Sequence, residues 1–224
     1  VRGSAILLAG DPGIGKSTLL LQIALKMSLG KDTVLYISGE ESEEQIKLRA
    51  DRINPQSTLR TKSHSNLLLL SNTNTDLICE IIIKAKPMFV IIDSIQTMES
   101  ENVSGLSGSV GQVRYGAFRF IKLAKTMGIP VIMVGHVTKE GMVAGPMVLS
   151  HMVDTVLFLE GEKFTATRIL RSLKNRFGPV DEVGIFAMEE EGIKELQTPE
   201  QLFLSKNDNS TMNGSILAIT MEGT

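Results

Sequence analysis

The chain reads as an α/β domain with a mainly parallel twisted central sheet and helices on both faces, and three observations predict it. Short apolar runs alternate with amphipathic stretches from Ser4 to His136. The runs are continuously apolar, as strands buried on both faces are. A G-x-x-x-x-G-K-[ST] pattern links the first run to the first helical stretch.

Each element follows in order. "SAILLAG" is the first strand, and "LLLQIALKM" carries a helix from about Ser17 to Leu29. "TVLYIS" is the next strand. A helix starts at about Glu43, where Ser42 followed three residues later by Gln45 makes a capping box and Glu43 and Glu44 suit the first turn. "LLLL", a helix from about Asp76 to Ala85, "MFVIID", a helix from about Gln112 to Met127 and "PVIMVGH" continue the alternation. Thr97 to Gly111 and Val137 to Pro146 fit no regular element.

After His136 the pattern changes. "DTVLFLE", "FTATRILRSLKN" and "EVGIFAME" follow one another with turn-sized gaps, which predicts antiparallel strands extending the C-terminal edge of the sheet. "SKNDNSTMN" reads as a linker before the apolar run "GSILAIT". The chain shows no internal repeat, and both ends read as cut.

The totals narrow the function classes. The 224 residues are 42% hydrophobic and 21% charged, ordinary for a globular protein, and no apolar run is long enough to cross a bilayer. Cys79 is the only cysteine, so no internal disulfide and no cysteine-based zinc site can form here, in keeping with a cytoplasmic location. A formal net charge of −2 gives no sign of nucleic-acid binding.

The chemistry concentrates at strand ends. In "GDPGIGKST", Gly10 to Thr18, the glycines let backbone N–H groups curl around phosphate oxygens at a helix N-terminus. The nucleotide-binding residues are therefore Gly10, Asp11, Pro12, Gly13, Ile14, Gly15, Lys16, Ser17 and Thr18. Lys16 reaches the β and γ phosphates of ATP, and Ser17 binds Mg2+. Asp93 ends an apolar strand, where it either holds magnesium or merely starts a turn. Glu40 and Glu41 precede the helix cap, so capping does not explain them. One of them, Glu40 by motif position, orients or deprotonates a water attacking the γ phosphate, unless both are solvated strand-end acids. His136 also ends a strand, as a γ-phosphate sensor or a turn residue, whereas His64 and His151 read as ordinary polar residues. Lys174 and Arg176, two apart before "FGP", put two cations on one side of an extended segment.

These landmarks resemble the ATPase core of the RadA (Sms) DNA-repair family, relatives of RecA and of ring helicases. The stretches that carry the resemblance are "GDPGIGKSTLLLQ", "LYISGEES", "VIIDSIQT", "GSVGQVR", "VGHVTKEG", "HMVDTV" and "LKNRFG". It covers about Gly3 to Leu204, and implies a RecA-like ATPase domain over 1–204 followed, over 205–224, by a linker and the first strand of a Lon-protease-like domain. It implies a homo-oligomer, a hexameric ring, that hydrolyses ATP with Mg2+, moves on single-stranded DNA and drives branch migration of recombination intermediates. It admits a recombinase as protein partner. The zinc module of whole family members is absent from this chain.

The resemblance assigns Lys16 and Ser17 to nucleotide, Asp93 to magnesium, Glu40 to water activation and His136 to γ-phosphate sensing. It makes Lys174, with Arg176 beside it, a group that acts on a neighbouring subunit's nucleotide, from an edge strand. It places DNA contacts on the loops Ser104 to Arg114 and Val137 to Gly145, through Gly108, Ser109, Gln112, Arg114 and Lys139. Met147 and Ser150 depart from the family pattern, which has an arginine and an acid there. Two other readings share the P-loop: an oligomeric signalling ATPase that leaves DNA alone, and a P-loop kinase.

Overall fold

A computed structural model describes residues 1–53, 66–136, 146–161 and 166–196. His64, the loop from Val137 to Gly145 with Lys139, the side chain of Met147 and the 205–224 segment lie outside the described residues. The described chain runs β1 (Ala5–Gly10), α1 (Lys16–Met27), β2 (Val34–Ser38), α2 (Glu43–Ile53), β3 (Leu67–Ser71), α3 (Thr75–Ala85), β4 (Phe89–Asp93), α4 (Val110–Met127), β5 (Val131–His136), α5 (Pro146–Ser150), β6 (Thr155–Glu160), β7 (Thr167–Asn175), β8 (Val183–Glu189) and β9 (Gly192–Glu195).

These strands form one sheet in the order β3-β2-β4-β5-β1-β6-β7-β8-β9. Neighbours from β3 to β6 pair parallel, and those from β6 to β9 pair antiparallel. Alternate residues of each central strand feed opposite cores, because successive side chains leave a strand on opposite faces. Leu7, Leu35, Ile37, Val90, Ile92 and Met133 join α3 and α4 in one core. Leu8, Val34, Tyr36, Ile91 and Val134 join α1 and α2 in the other. Two-sided burial explains the unbroken apolar runs.

Three features differ from the expectation. β6 is not antiparallel throughout: it pairs parallel with β1 and antiparallel with β7. The stretch between β5 and β6 is long enough to be a crossover that returns the chain to the same end of the sheet. β9 is not visible in the sequence as a strand, since "GIKE" is too short and polar to show a pattern. β7 is not an edge strand along its length either. β8 pairs with it from Thr167 to Arg171 and leaves Ser172 to Asn175 beyond the ladder.

Candidate active site at the carboxyl ends of the parallel strands

Register brings the motifs together. Gly10 of β1 is level with His136 of β5, and Asp93 of β4 is level with Ser38 of β2. Four neighbouring parallel strands therefore end side by side and deliver the P-loop, His136, Asp93 and the Glu40 turn to one crevice, where open α/β sheets bind ligands.

The P-loop is shaped for an anion. Gly13 and Gly15 take φ of 78° and 113°, a region that only glycine enters at little cost. Gly15 caps α1 without any side-chain hydrogen bond, and no acid occupies the first turn. The contrast with α2 and α3 is direct. Ser42 and Gln45 exchange hydrogen bonds at the start of α2, as the capping box predicts, and Asn74 accepts from the amides of Asp76 and Leu77 at the start of α3. Of these three helices α1 alone turns amides outward with no side-chain cap, which is what phosphate oxygens require.

Lys16 is 3% exposed, and its ammonium donates to the carbonyls of Gly10 at 2.7 Å and Asp11 at 2.8 Å. Burial lowers its pKa to about 8, against the opposing pull of Asp93, Asp11 and Glu40. Ser17 and Thr18 follow it in the first turn of α1.

Asp93 is buried, and the hydroxyl of Tyr36 donates to its Oδ2 at 2.5 Å. Burial, and then the Asp93 charge, raise the Tyr36 pKa well above its ordinary value, so the phenol stays a donor. Sequence reasoning missed Tyr36; the signal was a phenol inside an aliphatic strand, since a buried tyrosine hydroxyl needs a partner. The Ser17 hydroxyl, in the first turn of α1, and the Asp93 carboxylate, whose charge acts on Lys16, are hard oxygens. Among the described residues no three acidic, histidine or cysteine side chains converge on a metal. That set fits Mg2+, which takes few protein oxygens and completes its shell from phosphates and water.

The two acids separate. Glu41 pairs with Arg49 of α2. Glu40 accepts from the Ser94 hydroxyl at 2.7 Å and faces His136 Nε2 at 3.4 Å. Burial first, and then the Lys16 charge, push the His136 pKa below its ordinary value, so the ring is neutral at neutral pH. Its Nδ1 is buried without a hydrogen-bond partner among the described residues.

The loop between β4 and α4 is anchored to this site. The Ser107 hydroxyl donates to the carbonyls of Gln96 and Thr97, and the Gln96 amide donates to the His136 carbonyl. The expectation that Gln112 contacts DNA is corrected here. Gln112 is buried, accepts from the Ser100 amide and donates to the carbonyls of Ser100, Val103 and Gly105. An amide spent on holding the loop has nothing left for a ligand. Gly108 and Ser109 precede α4, and Arg114 is exposed near its start.

Lys174 and Arg176 do share a side. Lys174 donates to the carbonyls of Ser150 and Val153 at 2.7 and 2.8 Å, and Arg176 donates to Asp154 Oδ1 at 3.0 Å. Asp154 is buried and also accepts from the Ala5 amide and Lys125. Burial works to raise its pKa, yet these donors hold it below the usual carboxylate range. Both cations sit at the far end of the sheet from the P-loop. Leu170 is level with Leu159 and thus with Gly10, whereas Asn175 is level with Thr155 and thus with Ile6. The bulge in β7 opposite Val156 and Leu157 takes up one residue, so this offset is four strand rises, roughly 13 Å. Lys174 is level with Val156 and thus with Leu7, three rises or roughly 10 Å from Gly10.

A family model described as an AAA domain matches residues 1–142. The DNA repair protein RadA of Bacillus subtilis (strain 168) is 50% identical over 224 residues, all of this chain and 47% of that protein. The protein of the same name from Streptococcus pneumoniae (strain ATCC BAA-255 / R6) is 50% identical over 225 residues, all of this chain and 51% of that one. The chain spans about half the length of these curated relatives. Among solved structures, an ATPase domain superposes with a TM-score of 0.71 at 18% identity, over 88% of this chain and 86% of its own. The RadB recombinase does so with a TM-score of 0.63 at 21% identity, over 88% of this chain and 92% of its own. These likenesses show a RecA-like fold, and with the matched P-loop region the chain belongs to the AAA domain family, where it groups with the DNA repair protein RadA.

Proposed function

We propose that this chain is the ATP-hydrolysing motor core of a DNA repair and recombination protein, assembled as a ring of six copies in which each active site is completed by the neighbouring subunit. The observation that carries the reading is the register-driven meeting of the P-loop, Asp93, Glu40 and His136 at one crevice. The P-loop amides and Lys16 bind the phosphates. Ser17 and Asp93 would hold Mg2+, which when bound neutralises charge on the β and γ phosphates. Tyr36 orients Asp93. Glu40, held by the Ser94 hydroxyl beside His136 while Glu41 is taken by Arg49, is the base that orients the attacking water, and His136 senses the γ phosphate beside it.

Lys174 and Arg176 are the groups offered to a neighbour's nucleotide. Their distance from the chain's own P-loop supports this, as does the overhang of β7 past β8. Leu173, Phe177, Val180 and Val183 are each about half exposed or more around that tip, a surface suited to a second copy of the chain. The relatives named for DNA repair support a DNA substrate. Gly108, Ser109 and Arg114, with Lys139 on the second loop, are the proposed contacts to single-stranded DNA that drive movement and branch migration. The Ser107–Gln96–His136 hydrogen bonds connect the first loop to the γ-phosphate side of the site.

The test is ATP turnover of the full-length protein across a single-stranded DNA titration. Stimulation that weakens steeply with added salt is expected, because phosphate contacts release counterions. Flat turnover at every DNA concentration would instead favour a signalling ATPase.

A further inference from the structure

The antiparallel meander does more than widen the sheet, because it grips the outside of the P-loop. Arg168, the second residue of β7, is 8% exposed, and its Nε donates to the Ile14 carbonyl at 2.9 Å while Nη1 donates to the Thr167 carbonyl at 2.8 Å. A Cβ built on Gly15 would lie 2.4 Å from Cε of Met188 and 3.2 Å from Cδ1 of Ile193, so β8 and β9 press against the same turn. Gln22 of α1 fastens that hairpin. Its side chain donates to the Ile193 carbonyl at 3.1 Å and accepts from the Ile193 amide at 2.9 Å.

Peptide geometry gives the Arg168 contact its meaning. The Ile14 carbonyl and the Gly15 N–H belong to one planar trans peptide, so they point in opposite directions. Holding the carbonyl outward on a buried guanidinium aims the Gly15 N–H inward, and the positive charge polarises the peptide toward donating. A loop that turns its amides toward an anion must find partners for the carbonyls on its back, and buried carbonyls left without one are costly.

We infer that Arg168 is a positioning residue of the phosphate site: it fixes the Ile14–Gly15 peptide so that the Gly15 amide is preorganised for the β phosphate of a bound nucleotide. The inference rests on the P-loop binding nucleotide phosphates. It also makes β7 a strand with one end on the subunit's own nucleotide loop and the other at Lys174 and Arg176.

Arg168→Lys and Arg168→Met form the test pair, similar in length but with and without a donor for the Ile14 carbonyl. Binding of a fluorescent ADP analogue and the kinetics of ATP hydrolysis are measured for both. Arg168→Lys is expected to bind within about threefold of the parent, and Arg168→Met about tenfold more weakly, the loss of one charge-assisted hydrogen bond. Because the Gly15 amide holds the β phosphate in ground and transition states alike, the Met variant should raise KM and leave kcat within about twofold. A role confined to stability would not produce that split or its rescue by lysine. Equal affinity in the Lys and Met variants overturns the inference, while a parent protein that fails to bind the analogue overturns the P-loop reading instead. Should Arg168→Met not fold, Arg168→Gln takes its place against the lysine variant with the same expected order.

Discussion

Lys16 and Lys174 lie at opposite ends of one sheet and have been made different by it. Lys16 is enclosed at the carboxyl ends of the parallel strands, with acids around it and an uncapped helix N-terminus beside it. Lys174 stands where β7 runs past its partner, over the turn that leads into β6, with Arg176 next to it and Asp154 beneath. Burial first, and then Arg176, lower the Lys174 pKa as well, with Asp154 opposing. The difference teaches which end can serve which nucleotide. On the proposed reading, Lys16, already surrounded by the P-loop, completes the subunit's own phosphate site, whereas Lys174, held on the Ser150 and Val153 carbonyls roughly 10 Å along the sheet from Gly10, is left for a neighbour's.

The sharpest way to break that comparison is to remove each lysine in turn. Lys16→Ala should lose nucleotide binding and turnover together. Lys174→Ala should keep binding and lose turnover by about 10³-fold, the scale of a cation supplied in trans to a transferring phosphoryl group. Mixed together the two variants should regain activity, since a Lys174→Ala subunit that holds ATP can border a Lys16→Ala subunit whose Lys174 is intact. Steady-state hydrolysis across mixing ratios checks this. No recovery in mixtures shown to co-assemble would sink the trans role.

Within the parallel end, the acids offer a finer contrast. Glu40→Gln should reduce kcat by about 10²-fold or more, as loss of a general base does. Glu41→Gln removes a partly exposed pair with Arg49, and turnover should stay within about threefold. Single-turnover rates of the two variants decide the matter; equal losses would contradict the assignment of the base to Glu40.

Legibility in the sequence followed the same division. The parallel half was readable because strands buried on both faces leave continuous apolar runs, and because the P-loop is a local pattern whose glycines state their own backbone needs. The capping box at Ser42 was readable for the same local reason. What stayed hidden depends on partners distant in sequence. Nothing near Arg168 shows that its guanidinium meets Ile14, and "GIKE" carries no period that reveals β9 behind Gly15. The family resemblance assigns a whole loop to DNA and cannot tell which of its side chains face outward, and the fold buries Gln112. The apolar pattern of β7 marked it as a strand, but only the register of β8 shows where along its length it becomes an edge.

The smallest expected effect tests the enclosure of Lys16 itself. With its pKa lowered to about 8, the ammonium is charged below that pH and increasingly neutral above it. Phosphate oxygens beside it favour the charged form, so its pKa rises when nucleotide binds. Affinity is therefore full below pH 8 and lost as pH rises, because binding must then bring a proton with it. Between pH 7 and pH 9 the Kd for ADP should weaken by about tenfold, with close to one proton taken up at the upper limit. Calorimetry in buffers of different ionisation enthalpy measures that uptake directly. His136, with its pKa already pushed down by burial and by Lys16, does not titrate in this range and cannot mimic the effect. Lys16→Arg supplies the control: a guanidinium keeps its charge throughout, so whatever affinity that variant retains should be flat from pH 7 to 9. A flat profile in the parent would mean that Lys16 is more open to water than its enclosure by Gly10, Asp11 and the strand ends implies.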